Sequence, residues 1–124
     1  MIARLNRIRR AHPALHGNRS LHFHPTDNDL VICYSKHTPD RRDTVLVVVN
    51  LDPHHVHRAW LTLDLAALGL ADDQVFQVHD LLGDARYTWR GARSFVELVP
   101  DHSPAHIFEV KRFVRSENQF EYFL

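Results

Sequence analysis

The sequence predicts an all-β fold: an antiparallel β-sandwich of about eight strands preceded by one short amphipathic helix. Three observations carry this prediction. The run Thr44-Val-Leu-Val-Val-Val-Asn-Leu-Asp-Pro53 holds six apolar residues, four of them β-branched, which is how a strand buried on both faces reads. Turn-forming residues then recur roughly every eight to twelve positions after Gly17, the spacing of a sandwich. Only the stretch before Pro13 carries a long helical period.

In that stretch Ile2, Leu5, Ile8 and Leu15 fall three to four apart, or a multiple of that, with Arg4, Arg7, Arg9 and Arg10 on the other side. The helix stops before Pro13, whose ring disfavours a helical residue in front of it. It opens at Met1 with no Ser, Thr, Asp or Asn cap, which predicts that it continues a longer helix. Strands are expected at 20–24, 30–37, 43–51, 56–65, 75–81, 85–90, 94–99 and 105–113. The breaks between them are Pro25-Thr-Asp-Asn-Asp29, Pro39-Asp-Arg-Arg42, Asp52-Pro53, 69–73, Leu82-Gly-Asp84, Gly91 and 100–104. Leu61, Leu63 and Leu65 alternate with Thr62 and Asp64, so the leucines should point inward. Near the end, Ser116-Glu-Asn-Gln119 has the form of a capping box. It predicts one helical turn with Phe120, Phe123 and Leu124 on one face. The expected divisions are a helix at 1–15, a sandwich at 16–113 and a tail at 114–124.

At 124 residues the chain is one domain with one core, about half the ~250 residues of a (β/α)₈ barrel. Lys plus Arg balances Asp plus Glu at 15 each, so no basic field exists to gather nucleic acid or an anionic membrane. No stretch approaches the ~20 apolar residues of a bilayer span, and no signal-peptide core stands at the start. The single cysteine, Cys33, has no partner for an internal disulfide, and a reducing cytoplasm is the expected home.

Catalytic chemistry finds no constellation here. His22 and His24 share a strand face, and His54, His55 and His57 follow a turn, but no Cys and no acidic ligand stands at metal spacing. These histidines read as structural, and no metal or cofactor is expected. Cys33 sits mid-strand between Ile32 and Tyr34, where a small core residue belongs. Glycoside chemistry needs two carboxyl groups ~5–9.5 Å apart, yet Asp64, Asp72, Asp73, Asp80 and Asp84 mostly fall in turns. No catalytic residue is assigned. Trp60 shares a face with Thr62 and Asp64, and Trp89 with Tyr87. These two indoles are the candidate sugar contacts, because a pyranose ring stacks its C–H face on an exposed aromatic.

Several strings carry a family resemblance: Ile8-Arg-Arg-Ala-His-Pro-Ala-Leu15, Leu21-His-Phe-His-Pro-Thr-Asp-Asn28, Val31-Ile-Cys-Tyr-Ser-Lys36, Leu63-Asp-Leu-Ala-Ala-Leu-Gly-Leu70 and Pro104-Ala-His-Ile-Phe108. With the 45–55 run, and Asn50-Leu-Asp-Pro-His-His55 above all, they resemble the C-terminal β domain that follows the barrel in α-amylase-superfamily enzymes. The nearest likeness is to maltosyltransferases that extend α-1,4-glucan from maltose-1-phosphate. The resemblance implies that the helix is the end of the last barrel helix and that the catalytic carboxylates lie in a barrel outside this chain. The chain alone is then expected to be no enzyme, its role being to pack on the barrel through the Leu5/Ile8 face. The residues that separate a maltosyltransferase from a related amylase or a trehalose-forming enzyme would also lie in that barrel. The other reading is a free-standing starch- or glycogen-binding module with Trp60 and Trp89 as platforms. Under the first reading Leu5, Ile8, Phe120, Tyr122 and Phe123 form an apolar patch that favours self-association of the isolated chain.

Overall fold

The computed structural model describes residues 2–17, 20–115 and 121–123. Helix α1 (Ile2–Ala11) leads through a 3₁₀ turn at Pro13–His16 into nine strands. They are β1 (His22–His24), β2 (Val31–His37), β3 (Thr44–Asn50), β4 (His57–Thr62), β5 (Val75–Asp80), β6 (Arg86–Arg90), β7 (Arg93–Leu98), β8 (Ala105–Arg115) and β9 (Glu121–Phe123). All pairings are antiparallel. A large sheet runs in the order β1-β2-β3-β8-β5-β6, with β9 paired to β8, and a two-stranded sheet of β4 and β7 packs on it. The eight expected strands all form, and the fold is the sandwich that the sequence predicts.

Strand β3 lies at the centre of the large sheet, between β2 and β8. Its inward residues Leu46 and Val48 join Val31 and Cys33 of β2, Phe76 and Val78 of β5, and Phe108 and Val110 of β8. Ala59, Leu61, Val96 and Leu98 of the small sheet face them, so the core is the space between the two sheets. Burial pushes the Cys33 thiol up to about 12, leaving an inert core residue.

The small sheet is shorter than expected at one end. Leu65 leaves the strand and enters a single turn, 65–69, which Asp64 caps by accepting the Ala67 N–H (3.4 Å). Gly69, at φ +74°, closes the turn with two hydrogen bonds, Gly69 N–H to the Ala66 carbonyl and Leu70 N–H to the Leu65 carbonyl. This is a Schellman closure, and the left-handed residue is a glycine because a Cβ is strained there. Leu65, Leu68 and Leu70 all plug the end of the core. The period-two leucine pattern therefore ends at Leu63 and a helical one takes over.

The outer face of the large sheet is also apolar. Val45 and Val47 of β3 are buried there on the side that carries α1 and the 3₁₀ turn. Asp43 ties that segment down from the start of β3. Its carboxylate accepts the His12 Nδ1–H (2.9 Å) and the Ala14 N–H (3.0 Å), while His12 Nε2 lies 3.5 Å from Glu109 on β8. Ile8 is 8% exposed, so this residue faces its own domain rather than a partner, whereas Leu5 is 38% exposed. Of the expected Leu5/Ile8 docking face, Ile8 is thus spent within the domain and Leu5 stays exposed. Beyond the helix, the cross-strand row Phe23–Tyr34–Val47–Ile107 and the neighbouring row Ile32–Val49–Ala105 continue the apolar face. Phe23 is 61% exposed, and Leu30 and Leu51 at the adjoining strand ends are exposed too. Of the tail, Ser116 to Phe120 and Leu124 lie outside the described residues. At 121–123 the chain forms β9 against β8 instead of the expected helical turn.

Leu46→Ala, which opens a hole in the middle of the core, is expected to lower unfolding free energy by about 2–5 kcal/mol in a denaturant titration. Val47→Asp, which buries a carboxylate on the outer face of β3, should abolish the cooperative transition, and the β3 amides should be among the slowest to exchange.

Candidate functional site

The histidines are drawn into polar ties rather than into one site. His24 is buried and accepts the Asp64 N–H at Nδ1 (2.9 Å), so its proton sits on Nε2 and is donated to Ser35 Oγ (2.8 Å). Both ring nitrogens are used, and the protonated form would lose the acceptor. Burial, reinforced by the charge of His22, pulls His24 down to about 4. His22 itself pairs with Asp64 (3.1 Å), the carboxylate that sequence spacing did not connect to it.

The Asn50-Leu-Asp-Pro-His-His55 string folds into a cap at the end of β3. Asp52 accepts from the His54 N–H, His55 Nδ1 and His57 Nε2, each at 2.9 Å. Those hydrogen bonds, that of His57 foremost, hold its carboxyl far below the usual carboxylate range. Asn28 completes the unit by donating to His57 Nδ1 (3.0 Å), and Asn50 by donating to the His55 carbonyl (3.0 Å). Every polar group named is spent on a neighbour, so the string's role in the structure is to set the β3–β4 connection.

His106 makes a third tie, between the two sheets. Nδ1–H is donated to Asp80 Oδ2 (2.8 Å) and Nε2–H to the Glu97 carbonyl on β7 (3.1 Å), so both nitrogens donate and the cation is favoured. Burial opposes that charge, but the Asp80 hydrogen bond and the Glu97 carbonyl outweigh it and raise the His106 pKa. Burial also works against the Asp80 carboxylate, and His106 outweighs it there, so the Asp80 pKa is lowered. The imidazole stacks on Phe108 (centroids 5.1 Å apart, planes at 20°).

This tie forms the inner wall of a cavity of about 340 Å³ between the edge strands β6 and β7. The two-stranded sheet is too narrow to cover the whole inner face of the large one, and the uncovered part is aromatic. Tyr87 and Trp89 project from β6; Trp89 lies edge-on to Phe108 (5.2 Å) and Phe76 (6.1 Å), and Tyr87 lies against Phe108 (6.3 Å). Phe95, Glu97 and Ser103 complete the rim. Tyr87 is 45% exposed and Phe95 47%, while Trp89 is half-buried. Trp60 lies on the outward face of β4, 43% exposed, against Phe95 (5.3 Å) and under the Arg93 guanidinium (5.1 Å). The two candidate indoles thus stand on different sheets, with no ring contact between them among the described residues. Phe95 and Tyr87, which sequence reasoning did not single out as contacts, belong to the same surface. The alternation Arg86-Tyr-Thr-Trp-Arg90 was the available signal, but only the width of the small sheet decides that this face stays open.

Asp64 is thus paired with His22, Asp80 with His106 and Asp84 with His79 (2.7 Å). Asp73 and Asp84 occupy turn positions with φ +57° and +64°. The cluster His12, Asp43 and Glu109 has ligand atoms within 4.8 Å of one another. Its two imidazole nitrogens face different carboxylates, and Lys111 Nζ already sits 3.1 Å from Glu109, which suits a helix-to-sheet tie better than a cation site.

In a pH titration followed by imidazole NMR, His24 should stay neutral down to about pH 4, and His106 should keep its proton above pH 6.5. His24, depressed below its unfolded value of 6.5, costs the fold nothing above that pH and costs stability as pH falls towards 4. His106, raised, contributes fully below 6.5 and loses its contribution as pH climbs through its folded value. Asp80→Asn should lower the His106 pKa, because the Glu97 carbonyl alone is then left to offset burial, and leave His24 unmoved.

Residues 23–110 match the family model described as GLGE, C-terminal. The chain is 49% identical over 112 residues to alpha-1,4-glucan:maltose-1-phosphate maltosyltransferase 2 of Streptomyces coelicolor, covering 90% of this chain and 16% of that protein. It is 45% identical over 122 residues to the alpha-1,4-glucan:maltose-1-phosphate maltosyltransferase of Myxococcus xanthus, covering 98% and 18%. Against the enzyme of that name from Mycobacterium tuberculosis it is 43% identical over 109 residues, covering 88% and 15%. The chain therefore spans less than a fifth of the length of the curated relatives it matches. The match takes in the β2 and β3 strands, β8 as far as Val110, the Asp52 cap, the His106 tie and the aromatic cavity. This β-sandwich belongs to the GLGE C-terminal family.

Proposed function

We propose that this chain is the non-catalytic C-terminal sandwich of a maltosyltransferase that elongates α-1,4-glucan from maltose-1-phosphate. Its role is structural: it docks on the catalytic (β/α)₈ barrel of the same polypeptide. On this reading residues 1–15 are the end of the last barrel helix, 16–113 the sandwich and 114–124 a tail. The single, buried Cys33 supports a reducing, cytoplasmic setting, and no described helix is long and apolar enough to cross a membrane. Maltosyl transfer itself would belong to barrel carboxylates, since Asp64, Asp72, Asp73, Asp80 and Asp84 here sit in turns or pair with histidine.

The observation that carries the docking role is the outer face of the large sheet. A sandwich strand ordinarily alternates apolar-in with polar-out, yet β2 and β3 are apolar on both sides. Val45 and Val47 are buried on that face, but Phe23, Ile32, Val49 and Leu51 stay at or near the surface. Contiguous apolar surface of this kind marks an interface, and inter-domain interfaces of ~600–1,500 Å² are the usual size. The docking surface on this reading is the sheet face beside α1 rather than the Leu5/Ile8 stripe, and the same face would drive self-association of the isolated chain.

The purified chain is expected to release no phosphate from maltose-1-phosphate. Added to the Myxococcus xanthus relative truncated before its matching segment, it should co-elute as a one-to-one complex. Phe23→Lys combined with Leu51→Lys should abolish co-elution, with each exposed substitution costing the isolated chain only about 0.5 kcal/mol. Turnover by the chain alone would overturn the non-catalytic reading, and a complex indifferent to the two lysines would overturn the docking face.

A further inference from the structure

The cavity between β6 and β7 lies on the other side of the large sheet from the proposed docking face, so docking leaves it open. Its polar groups are neutralised within the domain. Glu97 is paired with Arg58 at 2.7 Å, and His106 with Asp80 at 2.8 Å. A cavity with no surplus cation gives a phosphate or nucleotide nothing to bind, and one with no surplus anion gives a metal or a basic peptide nothing. What it does offer is ring surface, from Tyr87, Trp89 and Phe108, with the polar residues Ser103 and Glu97 also among its lining. Apolar faces bordered by hydroxyl-seeking groups match a neutral ligand that is apolar on its ring faces and polar around its rim. Sugars have that character.

We infer that this cavity is an α-1,4-glucan-binding site, with Tyr87 and Trp89 as the stacking surface and Phe95 and Trp60 extending it over the rim for a chain longer than one ring. The identity of the sugar rests on the proposed maltosyltransferase reading; the preference for a neutral saccharide rests on the cavity alone. The Phe95–Trp60 pair, 5.3 Å apart, continues the aromatic surface past the cavity mouth on the outward face of the small sheet. Arg93 covers one side of Trp60 and fixes its ring. A surface that runs from a concavity onto an open face suits an oligosaccharide better than a free monosaccharide. Such a site would hold the polymer near the barrel without taking part in transfer, and would raise the local concentration of acceptor ends.

The test is an NMR titration of the 124-residue chain with maltoheptaose, with cellohexaose and maltose-1-phosphate as comparisons. Saturable shifts are expected with maltoheptaose, confined to the β6–β7 cavity and the Trp60 indole, and at least tenfold weaker binding with the two comparison ligands. Tyr87→Ala and Phe95→Ala replace exposed rings, so each should keep its thermal transition while weakening maltoheptaose binding about tenfold. Trp89→Ala should abolish binding, and is interpretable where its melting curve stays cooperative. No saturable shift, or shifts that persist unchanged in a folded Tyr87→Ala protein, would overturn the site. Shifts of equal strength with cellohexaose would leave a saccharide site and overturn its α-1,4 assignment. The assay needs no second polypeptide, so its failure is separate from a failure of the docking experiment.

Discussion

Strand β3 is apolar on both faces, and burying both is the constraint on which the remaining architecture depends. A chain whose Leu46 and Val48 point one way and Val45 and Val47 the other must be covered from both sides, because the hydrophobic gain scales with the area removed from water. The inner side is met by the two-stranded sheet of β4 and β7 and the leucine-rich turn at 65–69. The outer side is met only in part, by α1 and the 3₁₀ turn. The uncovered remainder, around Ile32, Val49 and Phe23, is the most informative surface of the molecule. It belongs to a fold element designed for two layers and given one and a half.

Hydrogen-bonded pairs and clusters fasten these layers at their margins. Asp43 holds the helical segment to β3, Asp52 gathers three histidine-segment donors at the far end of β3, and His106 bridges β5 and β7 through Asp80 and the Glu97 carbonyl. A core made almost wholly of Leu, Val and Phe packs well in several registers, whereas a half-buried carboxylate with two or three donors is satisfied in one. Breaking a single member leaves a desolvated charge, a cost larger than the net gain of the pair itself. The histidines are therefore the points at which strand ends are registered, and opposite protonation preferences at His24 and His106 follow from whether the second ring nitrogen meets a donor or an acceptor.

The narrowness of the small sheet has a functional consequence of its own. Two strands cannot cover the inner face of a sheet six strands wide, so β6 presents Tyr87 and Trp89 to an open cavity. The same shortage of cover thus generates both features of interest, an apolar outer face suited to another domain and an aromatic inner groove suited to a neutral ring-shaped ligand. They point in opposite directions. The proposed docking and saccharide-binding roles require that arrangement.

Much of the fold was legible in the chain itself. Unbroken β-branched runs, Pro and Gly breaks and a single cysteine between Ile32 and Tyr34 specify strands, turns and a core thiol through local propensity and period alone. The absence of a paired-carboxylate or metal-ligand pattern was equally local, and it argued for a non-catalytic role. What the sequence could not supply is everything that joins residues far apart. Asp64 meets His22 and His24 across some 40 positions, Asp80 meets His106 across 26, and Asp43 meets His12 across 31. Leu65 looked like a strand residue because its period-two neighbours did; the Asp64 cap and the Gly69 closure turned it into a helical turn. Ile8 matched a docking stripe by spacing, but a helix's period says which residues share a face and not which neighbour that face will meet. Trp60 and Trp89 were both visible as alternating with polar residues, yet only the packing of two sheets of unequal width decided that one lies on an outer face and the other at the mouth of a cavity. Local chemistry sets the element; the partner across the gap, which only the closed chain provides, sets what the element is for.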